Sequence, residues 1–386
     1  MLLVLLKVAA GIALLVLVLV GALVAWFAWE KRQFSKLTDT HDLAKHIERM
    51  GGDYLGKRPQ GALVIAVVQR GQVHIAGFGR MGESNAALPD ADTLFEIGSI
   101  TKAFTGVLLA RVAQDGTLQV NDSIRKHLPA EVALPASLTN ITLAQLATHT
   151  AGLPRLPNNL DPSPANEANP YANYKAADLR AWLATAKLSR APGKTTDYSN
   201  VGFGLLGHIL ELNTGKPFEQ IVREFISEPL AMQDTALRPD AARAARLSPG
   251  HSPDGKVVPN WDFDVMAATG GLRSSARDMV AFIRANLAPG DSPLGRALEE
   301  AQRMHFSGFS GAMGLGWHRE ITVKGDLRII WKNGGTGGYM SFCGFDRANQ
   351  NGVVLLSNYG DAFAGDFALD RMGMEILTLA AKISLQ

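Results

Sequence analysis

Two short apolar runs near opposite ends of the chain constrain its architecture most. Ala62-Leu63-Val64-Ile65-Ala66-Val67-Val68 and Val353-Val354-Leu355-Leu356-Ser357-Asn358 are strand-like, and the segments between them are mostly of helical period. After the first run, Gln69-Arg70-Gly71-Gln72 reads as a turn and Val73-His74-Ile75-Ala76 as the return strand of a hairpin. A helix with Leu43, Ile47 and Met50 on one face precedes it, and helical patterns follow at 100–112, 176–187, 201–213 and 217–227. An amphipathic helix from about Phe367 to Ile383 closes the chain. Strands at both ends with helices between predict one α+β domain, its sheet closed by both termini and a helical insertion at about 100–280.

Ahead of this domain, the 22 residues Val8–Trp29 contain no charged or strongly polar side chain. At ~1.5 Å per residue they span about 33 Å, enough for a ~30 Å hydrocarbon core. Trp26, Phe27 and Trp29 sit where an interfacial aromatic belt belongs, and Glu30-Lys31-Arg32 ends the run. The run reads as an uncleaved transmembrane anchor, giving residues 1–36 as anchor and flank and 37–386 as the folded domain. A cleaved signal peptide with Lys7 in its charged region is the competing reading, and the lack of an A-x-A triplet before Lys36 counts against it. Loop charge favours no outside domain, since Lys31, Arg32 and Lys36 outnumber Lys7 and lean the orientation weakly the other way.

Composition removes several function classes. A net charge of +2 and no basic stripe with interleaved aromatics argue against nucleic acid. The one cysteine, Cys343, rules out an intrachain disulfide and reads as a buried structural thiol. The nine histidines are scattered, so neither a metal nor a cofactor is expected. Gly77-Phe78-Gly79-Arg80-Met81-Gly82 and Gly202-Phe203-Gly204-Leu205-Leu206-Gly207 match G-x-G-x-x-G, but loop follows the first and no strand precedes the second. No G-x-S-x-G elbow occurs.

Chemistry concentrates in three segments. In Ser99-Ile100-Thr101-Lys102, serine and lysine lie one helical turn apart, and a neutral lysine can take the serine proton. The apolar stripe Ile100, Phe104, Val107, Leu108, Val112 lies on the opposite face, so the helix is expected to bury one side and present the pair on the other. In Asp197-Tyr198-Ser199-Asn200, a phenol held as phenolate by nearby cations is a competent base, and the carboxamide of Asn200 suits a substrate amide. In Trp331-Lys332-Asn333-Gly334-Gly335-Thr336-Gly337-Gly338-Tyr339, glycines allow close backbone approach and leave N–H groups for an oxyanion, while Lys332 offers charge to a carboxylate. Each segment alone also fits a plain reading: an N-cap serine with a solvated lysine, an N-cap turn, a glycine-rich loop.

S-x-x-K, then Y-x-N, then K-x-G, in that order, resembles the penicillin-recognising serine hydrolases, specifically the class C β-lactamase and D-Ala-D-Ala carboxypeptidase branch. The resemblance runs from about residue 60 to 360. It includes Ile141-Thr142-Leu143 with Leu146-Ala147-Thr148-His149-Thr150-Ala151-Gly152-Leu153-Pro154, Pro229-Leu230-Ala231-Met232 with Asp234-Thr235, and Gly270-Gly271-Leu272-Arg273-Ser274-Ser275-Ala276-Arg277-Asp278. It implies a β-lactamase/transpeptidase-like α+β fold: an antiparallel sheet flanked by helices.

It also implies roles. Ser99 is the acylated nucleophile, Lys102 its general base, and Tyr198 a partner in proton transfer that helps activate the deacylating water. Asn200 binds the substrate's amide side chain, Lys332 and Gly334 belong to the third substrate-binding motif, and the N–H groups of Ser99 and Gly335 form the oxyanion hole. The third motif is Lys-Asn-Gly where such lactamases commonly have Lys-Thr-Gly, and Ala151 stands where serine is usual. The expected activity is hydrolysis of β-lactams or D-Ala-D-Ala peptides through an acyl-enzyme. A carboxylesterase on the same scaffold and a penicillin-binding sensor that does not turn over are the alternatives. The resemblance, not the loop charge, places the domain in a bacterial periplasm behind a single-pass inner-membrane anchor. The long loop 155–175 is expected to set acyl specificity.

Overall fold

The computed structural model describes residues 42–385 except 84, 162, 164–167, 322–326 and 361–367. Among the described residues ten strands run in chain order: β1 (Ala62–Gln69), β2 (Gln72–Gly79), β3 (Leu94–Glu96), β4 (Arg273–Ser275), β5 (Phe306–Gly308), β6 (Gly311–Met313), β7 (His318–Ile321), β8 (Arg328–Gly335), β9 (Met340–Asp346) and β10 (Asn351–Ser357). Eight form one sheet in the order β2-β1-β10-β9-β8-β7-β6-β5, and β3 and β4 form a small second sheet. The two runs that open the sequence argument are neighbours, antiparallel, with Val64 opposite Leu356 and Ala66 opposite Val354.

Alternate side chains of these strands enter two separate cores, as the pleat requires. Val64, Ala66, Val354 and Leu356 face the large helical layer. Leu63, Ile65, Val67, Val353 and Leu355 face helix α1 (Leu43–Leu55) and the C-terminal helix (Ala368–Ala380). Burial on both faces explains why β1 and β10 read as unbroken apolar runs. The β1–β2 turn places Arg70 and Gly71 at φ 50° and 87°, the signature of a two-residue hairpin, and the return strand extends past Ala76 to Gly79. The first G-x-G-x-x-G therefore begins within a strand, where a Cβ on Gly77 would lie 1.7 Å from the Pro89 carbonyl oxygen. Its glycine answers to packing.

Helix α2 (Thr101–Gln114) corrects one expectation. Every residue from Thr101 to Ala110 is buried, Lys102 completely, so the helix has no solvent face on which to present the pair. It lies inside the helical layer against helix α3 (Asn200–Thr214) and a helix at Pro293–Gln302, with Phe104 stacked on Phe282 at 4.1 Å. The second G-x-G-x-x-G lies in α3, whose Gly204 and Gly207 meet Met266 and Ala268. Cys343 is buried and desolvation pushes its thiol up to about 12. Among the described residues, no helix is long and apolar enough to cross a membrane. Residues 8–29, on which the anchor expectation rests, lie outside the described residues.

Candidate active site

Ser99 sits in the single 3-10 turn Gly98–Ile100 that leads into α2, where developing negative charge is favoured. The turn follows strand β3 through Gly98 at φ 47°, which brings the backbone so close to β8 that a Cβ there would lie 2.7 Å from the amide nitrogen of Gly335. Gly334 is equally constrained: a Cβ on it would lie 2.1 Å from the Ile97 carbonyl oxygen and 2.8 Å from the Ser99 nitrogen. The K-x-G motif thus needs its glycine for backbone contact with the serine turn. Trp331–Gly335 belongs to β8, so the expected glycine-rich loop begins only after Gly335.

Two groups converge on the serine. Tyr198 Oη donates to Ser99 Oγ at 2.6 Å, Lys102 Nζ lies 3.0 Å from the same oxygen, and Lys102 Nζ donates to the Thr269 carbonyl at 2.6 Å. Burial, with Lys332 and Arg155 adding repulsion, holds the Lys102 ammonium well below the usual lysine range. A neutral amine that donates one N–H to the Thr269 carbonyl can turn its lone pair toward the serine hydroxyl.

Tyr198 departs from expectation. Burial dominates over the hydrogen bond to Ser99 and the Arg155 charge, pushing the phenol up to about 12. In the resting site it is a phenol that donates, not the phenolate read from the sequence. Its ring is flanked by Lys102 at 4.9 Å, Arg155 at 5.1 Å and Lys332 at 5.4 Å from the centroid. Arg155 and Lys332, joined by Lys102 once it has taken the serine proton, become important when the phenol has given up its own.

Ser199 caps α3, its hydroxyl accepting from the Gly202 amide at 3.0 Å. The cap and the functional reading coexist, because the turn before the cap delivers Tyr198. Beneath Tyr198, the His149 ring packs at 4.4 Å, tilted by 33°, and its Nδ1 accepts from the Ser199 amide at 3.1 Å. Desolvation keeps this imidazole neutral, its pKa well below 6.5. Asn200 donates to Tyr171 Oη at 3.0 Å, leaving its buried Oδ1 without a partner. That free acceptor faces the requirement of a substrate amide N–H.

Ser99 lines two cavities. The larger, of about 840 Å³, is bounded by Arg155, Tyr171, Asn200, Trp261 and Gly335. The smaller, of about 420 Å³, is bounded by Arg155, Tyr198, His318, Asn333, Gly335 and Asp370. Tyr198 lines the smaller cavity and Asn200 the larger, and the two cavities share Ser99, Arg155 and Gly335. Strand β7 pairs with β8 only over Arg328–Trp331, which leaves the edge of Lys332–Gly335 unpaired beside the smaller cavity. Lys332 is 1% exposed, and its ammonium is pulled down to about 8 by burial, against the carboxylate of Asp370. Asn333 links the two, accepting from Lys332 at 3.3 Å and donating to Asp370 at 2.6 Å.

Arg155, His149 and Asp370 are absent from the candidates read in sequence. His149 lies in the quoted His-Thr-Ala-Gly-Leu-Pro stretch without a role, and Arg155 follows it at the start of the long loop. Part of that loop lines the larger cavity, through Arg155, Leu156, Asp161, Ala168, Pro170 and Tyr171. Among the described residues, no His/Cys/Asp/Glu group is arranged to hold a metal ion.

The β-lactamase family model matches residues 47–372. The D-alanyl-D-alanine-carboxypeptidase/endopeptidase AmpH of Escherichia coli K12 is 30% identical over 302 residues, covering 72% of this chain and 74% of that protein. A β-lactamase of Pseudomonas fluorescens is 25% identical over 327 residues, covering 77% and 88%. Among solved structures, the β-lactamase/D-alanine carboxypeptidase of Yersinia pestis, complexed with citrate, superposes with a TM-score of 0.73 at 27% identity, over 86% of this chain and 97% of that one. A class C β-lactamase from Rhodobacter sphaeroides gives a TM-score of 0.74 at 21% identity over the same shares, a likeness of fold.

Proposed function

The chain belongs to the β-lactamase family, a superfamily of serine hydrolases, and on that premise we propose that it hydrolyses β-lactams or D-Ala-D-Ala peptides through an acyl-enzyme on Ser99. The observation that carries the proposal is the 2.6 Å and 3.0 Å convergence of Tyr198 and Lys102 on one serine oxygen.

In this proposal protons move from serine to lysine and from tyrosine to the leaving nitrogen. As Ser99 Oγ attacks the carbonyl carbon, its proton passes to neutral Lys102. The carbonyl oxygen becomes an oxyanion against the amides of Ser99 and Gly335, a contribution of ~3–4 kcal/mol per donor. The C–N bond breaks and the leaving nitrogen takes the phenol proton of Tyr198. The resulting phenolate is held by protonated Lys102, Lys332 and Arg155 around its ring, and in the acyl-enzyme it is the base that deprotonates the incoming water; as the acyl C–O bond breaks, Lys102 returns its proton to Ser99 Oγ. Asn200 Oδ1 receives the amide N–H of the acyl side chain. Lys332 and Gly334 shape the β8 edge along which the substrate extends.

The same reading holds residues 8–29 as a single-pass anchor in a bacterial inner membrane, with the catalytic domain in the periplasm; its support is the uninterrupted apolar run and the family. Reporter fusions after residue 40 test it, and a cytoplasm-only signal contradicts it. For the chemistry, intact mass after exposure to a penicillin should show a transient adduct on Ser99. kcat/KM for a chromogenic cephalosporin and a D-Ala-D-Ala peptide should exceed that for a short p-nitrophenyl ester. A clear ester preference would make the protein a carboxylesterase, and a permanent adduct would make it a sensor.

A further inference from the structure

We propose that Arg155, rather than Lys332, is the side chain that pairs with the substrate's carboxylate. The inference rests on the hydrolase reading above and concerns which residue recognises the anion.

Lys332 is poorly placed for that contact. It is 1% exposed, lines neither cavity, and already donates to Asn333 at 3.3 Å. Beyond Asn333 stands Asp370, whose Oδ2 accepts from Asn333 while its Oδ1 has no partner. A carboxylate in the smaller cavity would meet this second acid, which lines the cavity while Lys332 does not. The lysine's charge is better read as acting on Tyr198.

Arg155 has the opposite character. It is exposed, it lines both cavities beside Ser99, and it is the one Arg or Lys among the described residues lining either. Its backbone is fixed, since its carbonyl accepts from the amides of Asn200 at 2.9 Å and Val201 at 3.3 Å at the start of α3. Its guanidinium lies over the face of Tyr198, and among the described residues no hydrogen bond or ion pair occupies its N–H groups. The two acids lining the cavities are engaged elsewhere: Asp161 accepts from the amide and hydroxyl of Ser163 at 2.9 Å each, and Asp370 from Asn333. An unpaired guanidinium with a planar fork, carried on this fixed backbone, matches a carboxylate in two-point geometry. Stacking on Tyr198 orients the fork without consuming its donors.

The test compares two peptides that differ only at the end, D-Ala-D-Ala with a free carboxylate and the same peptide as its C-terminal amide. They are assayed with the parent chain, Arg155→Ala, Arg155→Lys and Lys332→Ala. The parent should prefer the carboxylate. Arg155→Ala should lose ~10-fold or more of that preference through KM, and Arg155→Lys should recover part of it. Lys332→Ala should lower turnover of both peptides and keep most of the preference. Unchanged melting of Arg155→Ala controls for folding. If Arg155→Ala keeps the preference, or falls equally on both peptides through kcat, or if Lys332→Ala is the variant that loses it, the inference is wrong. Failure of the hydrolase reading looks different: the parent then turns over neither peptide nor a β-lactam.

Discussion

Two buried lysines approach the same tyrosine ring from different elements, and their surroundings give them opposite charge states. Lys102, inside α2, is 0% exposed and has only cations among the charged groups acting on it, Lys332 and Arg155. Lys332, on β8, is 1% exposed but has the carboxylate of Asp370 within electrostatic reach. Burial penalises both ammonium groups, and the neighbouring acid decides how far. Lys102 is driven well below the lysine range and is a base; Lys332 comes down only to about 8 and keeps most of its charge at neutral pH. Residue type and depth are the same, so the division of labour between base and charge lies in what packs alongside.

The largest expected effect breaks the comparison at the base. Lys102→Arg places a permanent cation where the account needs a lone pair, so acylation should fall ~10³–10⁴-fold, as much as in Lys102→Ala. Intact-mass kinetics measure it, and Ser99→Ala should show no adduct at all. Substantial acylation by Lys102→Arg would mean that positive charge, not basicity, is what the position supplies.

Next in size is Tyr198→Phe, which removes the proton donor lying between the lysines. Hydrolysis of an amide or β-lactam should drop ~10²-fold, and that of a p-nitrophenyl ester, whose leaving group needs no proton, should drop less. Equal losses on both would assign the phenol a structural role.

A smaller effect sharpens the contrast. Asp370 raises the Lys332 pKa, so Asp370→Asn should lower it further. Activity that depends on the Lys332 charge is present below its pKa and lost as pH rises through it. The alkaline limb of kcat/KM, near 8 in the parent, should therefore move to lower pH in Asp370→Asn. A limb that stays or moves upward contradicts the pairing. The smallest effect falls outside both lysine regions: Ser199→Ala removes the α3 cap and should cost about 1 kcal/mol in a denaturant melt, with the pH profile unchanged.

The sequence made the frame of this site readable because its parts are short and local. Ser99 and Lys102 are one turn apart, Tyr198 and Asn200 flank a cap, and Gly334 sits where two backbones meet; each leaves its own spacing in the chain. The strands β1 and β10 were equally plain, since burial on both faces leaves an unbroken apolar run. What the sequence hid is what long-range packing creates. The full burial of α2 turned an expected two-faced helix into an inner one. Desolvation turned the expected phenolate of Tyr198 into a phenol. Arg155 and Asp370 join the site from a loop and a C-terminal helix without a motif of their own, and only the fold brings them to the same serine.

The central claim is that Lys102 is a neutral amine poised to deprotonate Ser99. The pH dependence of Ser99 modification by an uncharged fluorophosphonate reads it most directly, since that probe needs neither a carboxylate contact nor a protonated leaving nitrogen. With Lys102 held well below 10.5, the rate should reach its plateau well before that pH. A rate still climbing in proportion to hydroxide through pH 9 and levelling only near 10.5 would show an ordinary lysine ammonium and contradict the account.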